Sequence, residues 1–190
     1  MGLIAFPVAP LAPVGEILQK ESSATLAVAE APRLVRVDPF ELTVKVTSYN
    51  AVPEQTDHNP FVTASGAFSN PEVVAARSVD LAGDLPFGTV VALTRSASDT
   101  ENCRYQAVEH LIGYRVIADS MHSRKRQQLD ILLDATHTVP VHGKETNPSI
   151  ALGLCGEVSV TVIGKLDIND IPETQEELRL LVEGDSFARR

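Results

Sequence analysis

The sequence has 190 residues, a length that suits one domain of ordinary size with some tail. Its 16 basic and 25 acidic residues give a net charge of −9, which argues against nucleic acid as a partner, because phosphate binding needs a basic surface. Aromatic residues make up only 5% of the chain and tryptophan is absent, so a wide aromatic platform for stacking sugar rings is not expected.

The N-terminal segment, residues 1–38, is rich in proline, alanine and valine and shows little periodicity, which predicts an irregular arm. Its apolar start, Met1 to Val14, contains three prolines and no basic stretch, and so fits a flexible arm better than the remnant of a signal sequence. No apolar run in the sequence reaches the roughly 18–20 residues of a membrane-spanning helix. We therefore expect no integral membrane span.

Short apolar runs separated by loops predict a mainly β domain over residues 40–165. A loop with two prolines is expected over residues 50–60, a polar insertion over residues 94–111, and a long loop after Leu133. Many short strands with short connections are typical of a small closed β-barrel, in which closure removes exposed strand edges. The runs interpreted as strands are residues 42–49, 61–66, 73–76, 90–93, 114–118, 129–133 and 158–163.

Two helical segments are predicted toward the C-terminus. Residues 148–153 begin with proline and end with glycine, which indicates one helical turn. A longer C-terminal helix is predicted near residues 172–183, because apolar residues fall at helical spacing before Gly184, which suits a C-terminal cap. We assign residues 166–190 to this helix and its tail.

Two of the apolar runs each carry one aspartate, Asp119 and Asp130, eleven positions apart. The segment between them is polar and strongly basic. Burying a carboxylate within a strand is unfavourable unless the carboxylate is paired or hydrogen-bonded, so the two aspartates indicate a site. The alternative is that both acids are structural and cap turns or accept backbone N–H bonds.

The remaining chemistry-bearing residue types form no further motif. Cys103 and Cys155, the two cysteines, are either unrelated small residues or a disulfide, which would close a long loop and stabilise the fold by about 4 kcal/mol in the chain-entropy model. The five histidines have no metal-ligand spacing and no phosphate-binding loop is present, so neither a metal nor another cofactor is expected.

A series of short motifs occurs in order within residues 42–163. The series consists of Thr47-Ser48-Tyr49, Thr63-Ala64-Ser65-Gly66, Val74-Ala75-Ala76, Pro86-Phe87-Gly88-Thr89, Asp119 and Asp130. Each motif is weak alone, but in this order they resemble the 3D (three-aspartate) domain family of double-psi β-barrels. That family is related to membrane-bound lytic transglycosylase A and to the stationary-phase-survival muralytic proteins.

The sequence departs from the family pattern in three places. The two glycines that follow the first of the two acids in the family are replaced by Met121 and His122, which do not let backbone and sugar approach as closely. The family's first aspartate corresponds either to Asp80 or to Asp84. The insertion at residues 94–111 is expected to form one wall of the substrate-binding cleft.

The resemblance implies a six-stranded double-psi β-barrel with short helices and a C-terminal helix. It also implies a lytic transglycosylase-like enzyme, a carbon–oxygen lyase that cleaves the MurNAc–GlcNAc glycosidic bond and leaves an anhydro-muramic product. Peptidoglycan glycan strands are then the partner, no cofactor is needed, and the protein is expected in the cell envelope or outside the cell. The alternative, since the two glycines are lost, is a non-catalytic double-psi barrel that binds a polysaccharide or a protein.

By the same resemblance Asp119 is the catalytic acid and base, and Asp130 tunes it or binds sugar. Such an acid needs a pKa raised by burial or by a nearby like charge. The hydroxyl groups have an alternative role in backbone hydrogen bonds, and Arg124 has an alternative as an exposed loop residue without a role. The candidate substrate-binding residues are Tyr49, Thr63, Ser65, Gly66, Asp80, His122 and Arg124.

Overall fold

The structure, a computed structural model, describes Gly2, residues 32–56 and residues 59–187. Most of the predicted N-terminal arm, residues 1–38, and residues 57–58 of the predicted loop lie outside the described residues. The strands are β1 (Val35–Arg36), β2 (Glu41–Tyr49), β3 (Val74–Arg77), β4 (Thr89–Thr94), β5 (Tyr114–Ser120), β6 (Gln128–Leu132), β7 (Val139–Val141), β8 (Lys144–Thr146) and β9 (Cys155–Lys165). The helices are α1 (Tyr105–Ile112), α2 (Pro148–Leu152) and α3 (Gln175–Phe187), with short 3-10 helices at Val79–Leu81 and Ile168–Asp170.

Six strands close into a barrel in the order β9, β2, β6, β3, β5 and β4, with β4 paired back to β9. The pairs β2–β6 and β3–β5 are parallel, and the other neighbouring pairs are antiparallel. Closure pairs the edges that an open sheet would expose. The predicted mainly β fold, a closed six-stranded barrel with short helices and a C-terminal helix, is confirmed, and the two parallel pairs are compatible with double-psi connectivity.

The barrel interior is filled by aliphatic side chains that alternate along the strands. On β2, Val44 and Val46 point inward, and on β9 Val158, Val160 and Val162 do the same. All six barrel strands contribute to this core, which α1 and α2 extend. Burying a side chain of this kind contributes roughly 1.5–3 kcal/mol, so the core holds the strands in fixed positions relative to one another.

A disulfide connects Cys103, just before α1, to Cys155, the first residue of β9. Residue types alone left the pairing of these two cysteines open. The bond joins positions 52 residues apart, for which the chain-entropy model gives about 4 kcal/mol of stabilisation. It fastens the inserted segment that contains α1 to the barrel.

The C-terminal helix α3 packs on the outer face of the barrel. Its buried residues Leu178 and Val182 join a second apolar cluster, to which Val74 of β3 belongs. At the start of the helix, the Gln175 side-chain amide accepts from the Tyr114 N–H at 3.1 Å and donates to the Tyr114 carbonyl oxygen at 2.7 Å. No helix in the described ranges has the length and apolar character needed to cross a bilayer.

Arg115 of β5 is fully buried, and its guanidinium donates five hydrogen bonds to backbone carbonyl oxygens. The acceptors are Pro71, Val74, Leu111, Ile112 and Leu132. Burial lowers the pKa of Arg115 to about 9. The side chain links the end of α1 to the segment around the start of β3 and to the end of β6.

Three local features differ from the predictions. Residues 61–66 do not form a strand but mostly a turn, in which Gly66 has a φ of 89° that a strand residue does not adopt. The polar insertion at residues 94–111 contains most of α1. The long loop after Leu133 contains the hairpin of β7 and β8.

Candidate active site

Asp119 and Asp130 lie on either side of one residue of β3. Ala76 is paired with Asp119 of β5 on one side and with Asp130 of β6 on the other. Asp130 is also paired with Thr47 of β2. Directly paired residues of neighbouring strands point to the same face of the sheet. The two acids therefore face the same side, about 10 Å apart at the backbone, with only the methyl group of Ala76 between them.

A β-bulge in β5 turns Asp119 toward this face. Ala75 is paired with Ile117, whereas the next residue of β3 is paired with Asp119, so β5 has one extra residue, Ala118. Side chains alternate between the two faces of a strand with a period of two. A regular strand would therefore direct Asp119 to the opposite face, toward the barrel interior, and the bulge is what brings it beside Asp130.

The two acids line an open cleft of about 630 Å³ on the outside of the barrel. Of the residues predicted for substrate binding, Tyr49, Thr63 and His122 line the cleft. Lys125 adds a cationic group to the same wall. The remaining lining comes from residues 54–56, 59, 62, 64, 69, 76, 120 and 121. A cleft of this volume and polarity is in the range of ligand-binding sites.

Asp119 is half-buried, and both of its carboxyl oxygens accept hydrogen bonds. Oδ2 accepts from the Tyr49 hydroxyl at 2.8 Å. Oδ1 accepts from the backbone N–H groups of Ala64 and Ser120, each at 2.8 Å. All three partners donate, so Asp119 acts as a hydrogen-bond acceptor toward each of them.

The motif Thr63–Gly66 forms the turn that holds Asp119 from one side. The Ser65 N–H donates to the Ala118 carbonyl oxygen at 3.1 Å, which fastens the turn to β5. The Thr63 hydroxyl shares a 3.0 Å hydrogen bond with the Ser65 hydroxyl and also donates to a backbone carbonyl oxygen within the turn. These hydroxyls are therefore engaged in the turn itself, and the motif positions Asp119.

Asp130 is also half-buried but has different neighbours. Its Oδ1 accepts from the Thr47 hydroxyl at 2.8 Å, and its Oδ2 has no hydrogen-bond partner among the described residues. Burial raises the pKa of Asp130 to about 6, with a further contribution from the negative charge of Asp119. The Thr47 hydrogen bond and the positive charge of Lys125 act in the opposite direction on this pKa. Asp130 can therefore hold a proton near pH 6.

Tyr49 is a hydrogen-bond donor to the site and not a titrating group. Burial, together with the charge of Asp119, raises the pKa of its hydroxyl far above the ordinary value. The side chain packs in the second apolar cluster, so the hydroxyl is held in place against Asp119.

Four of the predicted substrate-binding residues do not line the cleft. Ser65 and Gly66 belong to the turn described above, and Arg124 is exposed on the loop between β5 and β6. Asp80 lies in the 3-10 helix after β3, where its carboxylate accepts from the backbone N–H and the side-chain amide of Gln127, at 3.0 and 3.2 Å. Hydrogen bonds from the Ser78 side chain and from Gln127 hold the pKa of Asp80 below its ordinary value.

Lys125 in the cleft, and Thr47 and Gln128 behind Asp130, were not among the predicted site residues. Lys125, not its neighbour Arg124, lines the cleft. Gln128 donates from Nε2 to the Thr47 hydroxyl oxygen at 2.8 Å. The alternation of Thr47 and Tyr49 along β2 is a signal that could have found Thr47, because it puts both on one face. Lys125 and Gln128 had no such local signal, because their positions depend on how β6 pairs with β2.

No family model matches the sequence, and a search of curated proteins finds no match. Within the described part of the chain, no group of three or more His, Cys, Asp or Glu side chains is placed to hold a metal ion. The chemistry available in the cleft is that of three carboxyl groups, Asp119, Asp130 and Glu54, together with a tyrosine, a histidine and a lysine.

Proposed function

We propose that the protein is a lytic transglycosylase-like enzyme that cleaves the glycosidic bond between MurNAc and GlcNAc in peptidoglycan. The observation that carries this proposal is the pair of unequal carboxyl groups in one cleft. Glycosidic cleavage needs one carboxylic acid to protonate the leaving oxygen, and it benefits from a carboxylate near the positive charge that develops on the sugar. The motifs that resemble the 3D domain add the substrate class. Such a substrate lies in the cell envelope or outside the cell.

The geometry favours Asp130 over Asp119 as the proton donor. A donor that works near neutral pH needs a raised pKa, and burial raises the pKa of Asp130 to about 6. Both carboxyl oxygens of Asp119 are occupied by three hydrogen-bond donors, whereas Oδ2 of Asp130 has no hydrogen-bond partner among the described residues. The family resemblance suggested the opposite assignment, with Asp119 as the acid and base.

In this proposal Asp130 transfers its proton to the glycosidic oxygen while the bond from that oxygen to C1 of the muramic sugar breaks. Positive charge develops at the sugar ring and is stabilised by the Asp119 carboxylate. The Asp130 carboxylate then removes the proton of the C6 hydroxyl, whose oxygen bonds to C1 and closes the anhydro ring. No water is consumed, and Asp130 ends the cycle protonated, as it began.

The lysine in the cleft suits an acidic substituent on the sugar. Lys125 and His122 line the same cleft as the two aspartates. Muramic acid carries a lactyl carboxyl group, free or extended by an acidic peptide, on the same sugar ring whose bond at C1 is to be cleaved. Lys125 is expected to pair with this anionic group, because a charge-assisted hydrogen bond to a carboxylate is stronger than a neutral one.

A second function, binding without cleavage, is favoured by the residues that replace the family's glycines. Met121 and His122 both line the cleft. Their side chains occupy positions at which two glycines would let a sugar approach the backbone. A barrel with this cleft would bind a polysaccharide or a protein but would not hold the scissile bond against the acid.

Digestion of purified peptidoglycan, with mass detection of anhydro-muropeptides, tests the proposal. The wild type is expected to release these products. Asp130→Asn is expected to release them about 10²–10⁴-fold more slowly, because an amide keeps the shape of the acid but has no acidic proton. Asp170→Asn, the same change at an exposed aspartate, is the matched control and keeps full activity. Binding of peptidoglycan by the wild type without any cleavage would favour the second function.

A further inference from the structure

Gln128, the first residue of β6, is only 5% exposed and has no part in the mechanism described above. Its Nε2 donates to the Thr47 hydroxyl oxygen at 2.8 Å, and that hydroxyl donates to Oδ1 of Asp130 at 2.8 Å. We call these two consecutive hydrogen bonds the 128–47–130 line. The line connects a buried amide to the proposed catalytic acid.

The direction of the 128–47–130 line follows from the donors and acceptors that are available. A threonine hydroxyl has a single hydrogen, and a side-chain amide nitrogen can only donate. Because Gln128 donates to the Thr47 oxygen, the hydroxyl hydrogen remains available for Asp130. If the Gln128 amide were flipped, its oxygen would face the Thr47 hydroxyl. The Gln128 oxygen and the Asp130 carboxyl group would then both need the single hydroxyl hydrogen of Thr47.

The 128–47–130 line distinguishes the two carboxyl oxygens of Asp130. Oδ1 accepts the Thr47 hydrogen, which makes it the less basic of the two oxygens. In the neutral acid the proton therefore belongs on Oδ2, which has no hydrogen-bond partner among the described residues. Since Asp130 lines the cleft, Oδ2 is the oxygen that is free to donate its proton to a substrate there.

The backbone of Gln128 is held independently of its side chain. Its N–H donates to the Ser78 hydroxyl at 3.1 Å, and its carbonyl oxygen accepts from the Ser78 N–H at 2.9 Å. The preceding residue, Gln127, has a φ of 47°, which is unfavourable for a residue with a side chain, and Asp80 holds it with two hydrogen bonds. Asp80 thus supports the placement of Gln128 from outside the cleft.

We propose that Gln128 is a positioning residue, whose side-chain amide commits the Thr47 hydroxyl to Oδ1 of Asp130 and leaves the acid proton on Oδ2. The catalytic consequence rests on the proposed function, whereas the orientation of the hydroxyl does not.

The ionisation of Asp130 also depends on the other groups of the cleft, and β3 contributes only the uncharged Ala76 beside it. The titratable and charged groups that share the cleft are Asp119 of β5, Tyr49 of β2, Glu54 after β2, and His122 and Lys125 before β6.

Carboxyl-carbon NMR titration of Asp130 tests this proposal without a substrate. In Gln128→Glu, the new carboxylate accepts the Thr47 hydroxyl hydrogen and so takes it away from Asp130. The lost hydrogen bond and the added negative charge both favour the neutral form of Asp130, so its pKa is expected to rise by about one unit. Gln128→Met, which has a similar shape and no donor, is expected to give a smaller rise in the same direction.

Gln106→Glu is the matched control, because it makes the same change at an exposed residue of α1. It is expected to leave the titration of Asp130 unchanged. Thermal unfolding establishes that each variant is folded. An unchanged Asp130 titration in both folded Gln128 variants overturns the proposal.

A measurement on the wild type decides the matter if the Gln128 variants do not fold. The side-chain amide protons of Gln128 are expected to shift with the same midpoint as Asp130, because the charge on the carboxylate polarises both hydrogen bonds of the line. The amide protons of Gln106 serve as the control and should not respond. The proposal is overturned if the chemical shifts of the Gln128 amide protons do not change as Asp130 ionises.

Activity measurements separate this proposal from the proposed function. Gln128→Glu is expected to move the falling limb of the pH–rate profile upward by about one unit. KM should change little, because Gln128 does not line the cleft. If the wild type forms no anhydro product, the proposed function fails while the NMR titration still decides the role of Gln128. If the wild type is active and neither the limb nor the titration moves, the role of Gln128 alone is rejected.

Discussion

A carboxyl group can act as an acid only while it keeps its proton, and burial makes this possible for Asp130 near pH 6. The same burial disfavours the ionised form in the folded protein relative to the unfolded chain. Above that pH the charge of Asp130 therefore lowers the free energy of unfolding. The raised pKa that would let Asp130 act as an acid therefore also lowers the stability of the folded protein above that pH.

Asp130→Asn is expected to stabilise the fold at high pH. The pKa of Asp130 is raised from 3.8 to about 6, so its stabilising contribution is intact below the unfolded value and is lost as the pH rises through 6. Asparagine does not ionise, so the variant does not lose this contribution as the pH rises. The melting temperature of the variant, relative to that of the wild type, should be higher at pH 8 than at pH 4. A relative melting temperature that is the same at both pH values would contradict the raised pKa.

Asp119→Asn is expected to shift the ionisation of Asp130 downward. The negative charge of Asp119 raises the pKa of Asp130, so removing it favours the ionised form and moves the falling limb of the pH–rate profile to lower pH. Asparagine can still accept the N–H groups of Ala64 and Ser120, so the turn should persist. The rate of anhydro-product formation should also fall at its optimum, because the carboxylate beside the developing positive charge is gone. A limb that moved upward would refute this assignment.

We expect the position of α3 on the barrel to depend strongly on the side chain of Gln175. This amide bonds to both backbone groups of Tyr114 and also donates to the Glu72 carbonyl oxygen. Gln175→Ala leaves these groups without their partner, which is expected to lower the free energy of unfolding by about 1–3 kcal/mol. Denaturant unfolding measures the loss, and Gln106→Ala on α1 is the control. An effect no larger than that of the control would show that α3 is held by its apolar face alone.

Most of the barrel could be predicted because its strands carry local signals. Aliphatic and polar residues alternate along β2 and β9, and this period of two needs no knowledge of the rest of the chain. Residues 61–66 are predicted as a short strand that ends at a glycine. They form a turn because Gly66 adopts a positive φ and because Asp119, far along the chain, binds the Ala64 N–H.

The site could be predicted only in part, because its geometry depends on contacts between distant segments. Two aspartates in apolar runs predict a candidate site, and the structure places both in one cleft. Which of them holds the proton depends on burial and on partners that come from other strands. The Gln128–Thr47 hydrogen bond joins residues 81 positions apart, and the bulge at Ala118 has no signature in the sequence.

The disulfide between Cys103 and Cys155 is expected to contribute substantially to the stability of the protein. Its loss should cost about 4 kcal/mol in the chain-entropy model, because the reduced unfolded chain gains freedom. For a protein of this size that corresponds to a fall in melting temperature of roughly 8–16 °C on reduction. The double variant Cys103→Ser/Cys155→Ser is the control, and its melting temperature should not respond to reductant. A wild type that melts at the same temperature with and without reductant would contradict this.

We expect the buried guanidinium of Arg115 to make folding of the barrel cooperative. Its five hydrogen bonds go to three separate parts of the chain: the segment around the start of β3, the end of α1 and the end of β6. A chain that has assembled only some of these parts leaves a positive charge in apolar surroundings without its acceptors, which costs several kcal/mol. Partly folded states are therefore poorly populated, and unfolding followed at α1 and at β6 should trace one and the same curve.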